Sequence, residues 1–137
     1  MKGKTALTLI EQSIMLLVLA LAAALCLQAF VWADAHSRQN TARDQALIRL
    51  QSAAEVLKAN NGDYTAAADA CGGTANDEYW LLCWDENWAQ TPYPGTFQLQ
   101  ATPQTTQNDY LGSALLELRQ GETSLCSLTI CWQEVAP

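Results

Sequence analysis

The sequence predicts an α+β chain in which a long N-terminal helix, a membrane half followed by an amphipathic half, packs on a small antiparallel β-sheet. Three observations carry this. From Ile14 to Ala33 only Gln28 is strongly polar, which leaves about 20 residues, roughly the 30 Å hydrocarbon thickness of a bilayer at 1.5 Å per residue. Residues 33–60 contain neither Pro nor Gly and are dominated by Ala, Leu, Arg, Gln and Glu, all good helix formers. After Gly62, short alternating or apolar runs are bounded by Gly, Pro, Asn and Asp. A chain of 137 residues has room for one membrane helix and one small domain.

At the N-terminus, Lys2 and Lys4 are the only basic residues ahead of the apolar run. That positive flank predicts a cytoplasmic N-terminus, with everything after Trp32 across the membrane. Without its first six residues the chain keeps five basic side chains against fourteen acidic ones, which argues against nucleic-acid binding through a basic face. A cleaved secretory signal is a competing reading, with small-residue sites at Ala20-Leu21-Ala22 and Ala33-Asp34-Ala35. A lipoprotein signal fits less well, because Leu25 stands where a small residue should precede Cys26. The secretory reading leaves unexplained why Glu11 and Gln12 interrupt the junction between the charged head and the apolar run. A carboxylate near hydrocarbon costs on the order of a few kcal/mol.

The stretch Ala6-Leu7-Thr8-Leu9-Ile10-Glu11 resembles the processing motif of the type IV pilin-like family, the minor pilins and type II secretion pseudopilins. The family's common form is a small residue, usually Gly, then Phe-Thr-Leu-Ile-Glu and a long apolar helix. Thr8, Leu9, Ile10 and Glu11 match; Ala6 stands for the Gly and Leu7 for the Phe. The stretch Arg49 to Asn60 is similar to the end of the long helix in some members, so the resemblance spans about the first 60 residues. It implies a prepilin-type leader at 1–6, a transmembrane and filament-core helix at 7–32, an amphipathic extension at 33–60 and an extracytoplasmic β-rich domain at 61–137. It also implies cleavage by a prepilin peptidase between Ala6 and Leu7, with methylation of the new Leu7 amine. That amine would be an ammonium with an ordinary pKa near 8. Glu11, four residues on, can approach its own ammonium on one helical face or meet that of a neighbouring subunit and so set register. At about 4 Å and an effective dielectric of about 20 the attraction is roughly 4 kcal/mol before desolvation.

The helix is expected to run on. Leu47, Leu50, Ala54 and Leu57 fall at spacings of three and four and make one apolar stripe; Asp34 with Arg38, and Glu55 with Lys58, can pair on the solvated side. Asn60-Asn61-Gly62 reads as the stop, with Gly62 suited to a left-handed cap. From Leu7 to Ala59 an unbroken, straight helix would measure about 80 Å. Strands are expected at Tyr79–Trp84, at Thr96–Thr102 after the turn signal Pro92-Tyr93-Pro94-Gly95, and at 111–119 and 123–133 as a hairpin about Gln120-Gly121-Glu122. In the last strand Cys126, Leu128, Ile130 and Trp132 share one face and Ser127, Thr129 and Cys131 the other. A four-stranded sheet covering the helix stripe follows, with 60–76 and 102–109 as irregular loops.

Of the five cysteines, Cys26 lies in the span and reads as a packing residue. Cys71, Cys83, Cys126 and Cys131 would face an oxidising space and are candidate disulfide partners of unassigned pairing. Cys126 and Cys131 lie on opposite faces of one strand, roughly 16 Å apart when extended, beyond the reach of a bridge. Links from the loop or first strand to the last strand are favoured, with Cys71–Cys83 alone still open. No Cys-x-x-Cys occurs and His36 is the only histidine, so neither a metal site nor a Cys–His nucleophile is expected. The acidic pairs Asp77-Glu78 and Asp85-Glu86 lack the spacing of a calcium loop and read as solvated charge. The five tryptophans are explained by core packing and, for Trp32, by a membrane-edge anchor.

The expectation is therefore a structural subunit without catalytic residues or cofactor. Its partners would be other pilin-like subunits, the prepilin peptidase, the membrane and an inner-membrane assembly machine. It would be a single-pass cell-membrane protein that passes into a pilus or pseudopilus. The alternative is a singly anchored extracellular binding domain, neither processed nor polymerised.

Overall fold

The computed structural model of the chain describes residues 2–134, with Lys2 described by its backbone alone. Met1 of the expected leader and residues 135–137 of the expected β-rich region lie outside the described residues. The chain divides into two compact units, Met1–Thr41 and Ala42–Pro137.

Helix α1, Lys2–Ala59, contributes to both units. In the first unit its described side chains are exposed throughout, apolar ones included. α1 is the one described helix long and apolar enough to cross a membrane, and its apolar stretch, residues 14–33, falls in this unit. An all-round apolar surface with no protein against it is what a lipid-facing segment requires, because lipid tails need no polar partner. Asp34 and Arg38 pair at 2.9 Å, one turn apart; Glu55 and Lys58 form no ion pair among the described residues.

In the second unit the end of α1 packs on the sheet, and its buried stripe is rotated from the expected one. Ala46, Leu50, Ala53, Ala54 and Leu57 are buried, whereas Leu47 is 44% exposed. Three of the five are alanines. The helix stops in a Schellman arrangement: the Gly62 N–H donates to Leu57 O at 2.9 Å and the Asn61 N–H to Lys58 O at 3.1 Å. The left-handed residue at the cap position is Asn61 (φ 52), one before the glycine expected there; Gly62 is also left-handed (φ 80).

The stretch expected as a loop at 60–76 instead holds α2, Tyr64–Cys71, and a two-residue strand β1, Thr74–Ala75. Asp63 caps α2, its carboxylate accepting from the N–H groups of Thr65 and Ala66. Four longer strands follow: β2 (Trp80–Trp84), β3 (Phe97–Pro103), β4 (Leu111–Gln120) and β5 (Thr123–Gln133). The sheet is an antiparallel meander of five strands in the order β1-β2-β3-β4-β5, one more than expected. Gly121 (φ 58) at the first position of the two-residue β4–β5 turn matches a type II′ hairpin.

Register stacks the core in rows. Trp80, Ala101, Leu116 and Leu128 lie opposite one another across β2 to β5, and Leu82, Leu99, Leu118 and Cys126 form the next row. The largest residue of the first row, Trp80, faces the smallest, Ala101. Together with the α1 stripe and Tyr64 and Ala67 of α2 these residues form one core. The face expected on β5 is present: Ile130 is buried and Cys126, Leu128 and Trp132 are half-buried, while Ser127, Thr129 and Cys131 are exposed.

Candidate functional site

The residues of the expected processing motif all lie on α1 in the first unit. Ala6, Leu7, Thr8, Leu9, Ile10 and Glu11 are helical, and Leu7 is 73% exposed. The Thr8 hydroxyl donates to Lys4 O at 2.9 Å and to Thr5 O at 3.1 Å, and Ser13 to Leu9 O at 2.8 Å. These bonds return both hydroxyls to the helix's own carbonyls, a common way to carry such groups in an apolar setting. Leu7 and Glu11 share a face with Ile10, Ile14 and Met15. Glu11 takes part in no ion pair among the described residues, where the pairs are Asp34–Arg38 and Glu117–Arg119. At the far end of the apolar run Trp32 stacks on His36, ring centroids 5.6 Å apart and nearly parallel.

All five cysteines are free, and the expected bridges between the first part of the β-rich region and its last strand are not formed. Register supplies the reason for one pairing. Cys126 lies in a row with Leu118, Leu99 and Leu82, so β2 is three strand spacings from β5, about 14 Å, twice the reach of a disulfide. Burial raises the pKa of the Cys83 thiol. Burial also raises that of Cys126, against a smaller opposing pull from the Arg43 guanidinium. Cys131 is exposed, its Sγ 3.6 Å from the Ser113 hydroxyl.

One member of the acidic pairs, Asp85, serves a turn. Asp85 Oδ1 accepts from the N–H groups of Asn87 (2.8 Å) and Ala89 (2.9 Å). Asn76, beside Asp77 and Glu78, accepts from the N–H groups of Glu78 and Tyr79. Among the described residues no cluster of three His, Cys, Asp or Glu side chains has a metal-binding arrangement. The tryptophans expected in the core are there, and Trp88 stacks on Phe97 at 4.0 Å while its carbonyl accepts from Arg49.

Two features were not anticipated. An open groove of about 580 Å³ lies where the start of α2, the 103–109 loop and the ends of β4 and β5 meet, with Asp63, Asp77, Asp109 and Glu134 on its walls. Beside it the Trp132 indole is wedged between Gly62 and Gly112: a Cβ on either glycine would fall within 2.3 Å of the ring. Its Nε1 is buried with no hydrogen-bond partner among the described residues. A glycine inside a strand, as at Gly112, is the sequence signal for such a close approach.

The fold and the exposed apolar helix define a class, an α+β protein bearing one N-terminal helix fit to anchor it in a membrane. No family model matches the chain, and comparisons with curated proteins and with solved structures return no match.

Proposed function

We propose that the chain is a structural minor pilin or pseudopilin subunit, cleaved between Ala6 and Leu7 and then assembled through its apolar helix into a filament. The observation that carries this is the placement of Glu11, a carboxylate without an ion-pair partner among the described residues, on the same helical face as Leu7, at the head of an apolar surface that none of the described residues covers. Cleavage would create an ammonium at Leu7, and Glu11 would neutralise it, within one molecule or between neighbours. The packed unit from Ala42 onward would then ride outside the filament core.

Mass spectrometry of the protein from its native cells tests the reading. The expected mature N-terminus is Leu7, with the mass of one added methyl group; an intact leader would overturn it. Glu11→Ala should leave membrane insertion unchanged and reduce filament assembly, measured by shearing and immunoblotting.

The second reading, a singly anchored binding domain with its leader retained, draws support from the groove beside Trp132. It requires the unprocessed N-terminus, so the same mass measurement separates the two.

A further inference from the structure

The two edges of the sheet differ. At one, β1 is two residues long, and the rest of β2 is shielded by a bridge from Gln90 to Trp84 and by the Thr91 N–H donating to Cys83 O at 3.0 Å. At the other, β5 runs eleven residues and pairs on one side only, with β4.

Two hydrogen bonds show which β5 backbone groups point outward. The Gln104 N–H donates to Ser113 O at 2.8 Å, so the Ser113 backbone faces β3. The Ser113 hydroxyl donates to Ile130 O at 3.1 Å, so the Ile130 carbonyl faces β4. Because direction alternates along an antiparallel strand, Ser127, Thr129, Cys131 and Gln133 turn their N–H and C=O groups away from the sheet. Exposed edges of this kind are ordinarily blunted by charge, proline or a bulge. Residues 123–133 contain no charged residue and no proline, and the one register irregularity lies near the hairpin, opposite Leu118/Arg119.

A groove of about 400 Å³ runs alongside, formed by Gln51, Ala54, Glu55 and Lys58 of α1 with Leu128, Thr129 and Ile130. We propose that this edge docks an extended segment of a different polypeptide, which adds a sixth strand to the sheet. Main-chain bonds to Thr129 and Cys131 would direct alternate side chains of that segment into the groove. There the floor is Ala54, Leu128 and Ile130, suited to a small or β-branched apolar residue. Glu55 and Lys58, unpaired with each other, offer one charge of each sign at the rim and select a segment carrying the complementary pair. Its other side chains lie beside Ser127, Thr129 and Cys131 and are polar. A second copy offering its β1 edge fits poorly, because β1 is two residues long; pairing of two β5 edges is the outcome that the concentration arm of the test detects. The inference requires neither anchorage nor leader cleavage, so it goes beyond the subunit reading.

The test uses the full isotope-labelled chain in detergent micelles and a synthetic acetylated heptapeptide, Lys-Thr-Val-Thr-Val-Thr-Glu amide. At peptide concentrations ten times Kd, amide exchange at Thr129 and Cys131 should slow about tenfold, with Leu128 and Ile130 little changed. Thr129→Pro removes a central outward donor without touching the β4 ladder, so it should abolish the effect while leaving the β3 and β4 spectrum intact. Thr129→Lys, which places a charge on the edge, should do the same and serves if the proline variant misfolds. Absence of selective slowing, slowing that survives both substitutions, or slowing without peptide that grows with protein concentration would each overturn the proposal, the last by assigning the edge to a second copy.

Discussion

Asp63 shows how one side chain sets local structure in this protein. The Thr65 hydroxyl, and after it the N–H groups of Ala66 and Thr65, hold its carboxyl below the ordinary carboxylate range. A folded-state pKa below the unfolded one means that the native state binds fewer protons. Its contribution is thus fully present above about pH 4 and is lost as pH falls through the folded value. The protection of α2 amides, exchange rate relative to the intrinsic rate at each pH, should therefore fall on acidification, and Asp63→Ala should lower it at neutral pH and remove that fall. The thiols provide a second residue-scale prediction. Cys83 and Cys126, held protonated by burial, should alkylate more slowly than exposed Cys131, as read by timed iodoacetamide labelling and peptide mapping. At this scale the resemblance of residues 6–11 to a processing motif rests on residue type and spacing alone. The Trp132 wedge was not legible in the sequence, because it depends on two glycines 50 positions apart meeting one ring.

Elements were legible where a pattern ran long enough to exceed noise. The α1 helix, the alternating faces of β3 and β5 and the β4–β5 hairpin all follow from periodicity and turn residues. α2 did not, because an eight-residue helix offers barely two turns of pattern and its Asp63 cap followed a strong stop signal at Asn60-Asn61-Gly62. β1 is too short to carry any alternation. The phase of the α1 stripe was missed for another reason: bulk drew attention to Leu47, while the residue buried there is Ala46, 0% exposed, one residue earlier. Substitution measures that phase directly. Leu50→Ala should destabilise the folded unit by about 2–5 kcal/mol in denaturant unfolding, as expected for a fully buried leucine. Leu47→Ala should change it by less than about 0.5 kcal/mol.

Over the whole molecule, every buried core residue lies at or after Ala46, and none belongs to the Met1–Thr41 unit. A fragment spanning 42–137 should accordingly stay soluble without detergent and unfold in one cooperative transition by circular dichroism. Failure to fold would show that the packed unit needs the apolar segment for more than attachment. The apolar helix segment fit to cross a membrane was the most legible part of the chain, since length and composition alone mark it.

The meander order of the sheet bears on how the protein acquires its shape. Each strand after β1 pairs with its immediate predecessor in the chain, so the sheet can form from neighbouring segments, and the docking of the α1 stripe on it is the step that joins parts far apart in sequence. Renaturation is expected within milliseconds to about a second after dilution from denaturant. A polypeptide delivered end-first through a translocation pore could then settle strand by strand as it emerges, with little time for its unsatisfied edges to stick to strangers.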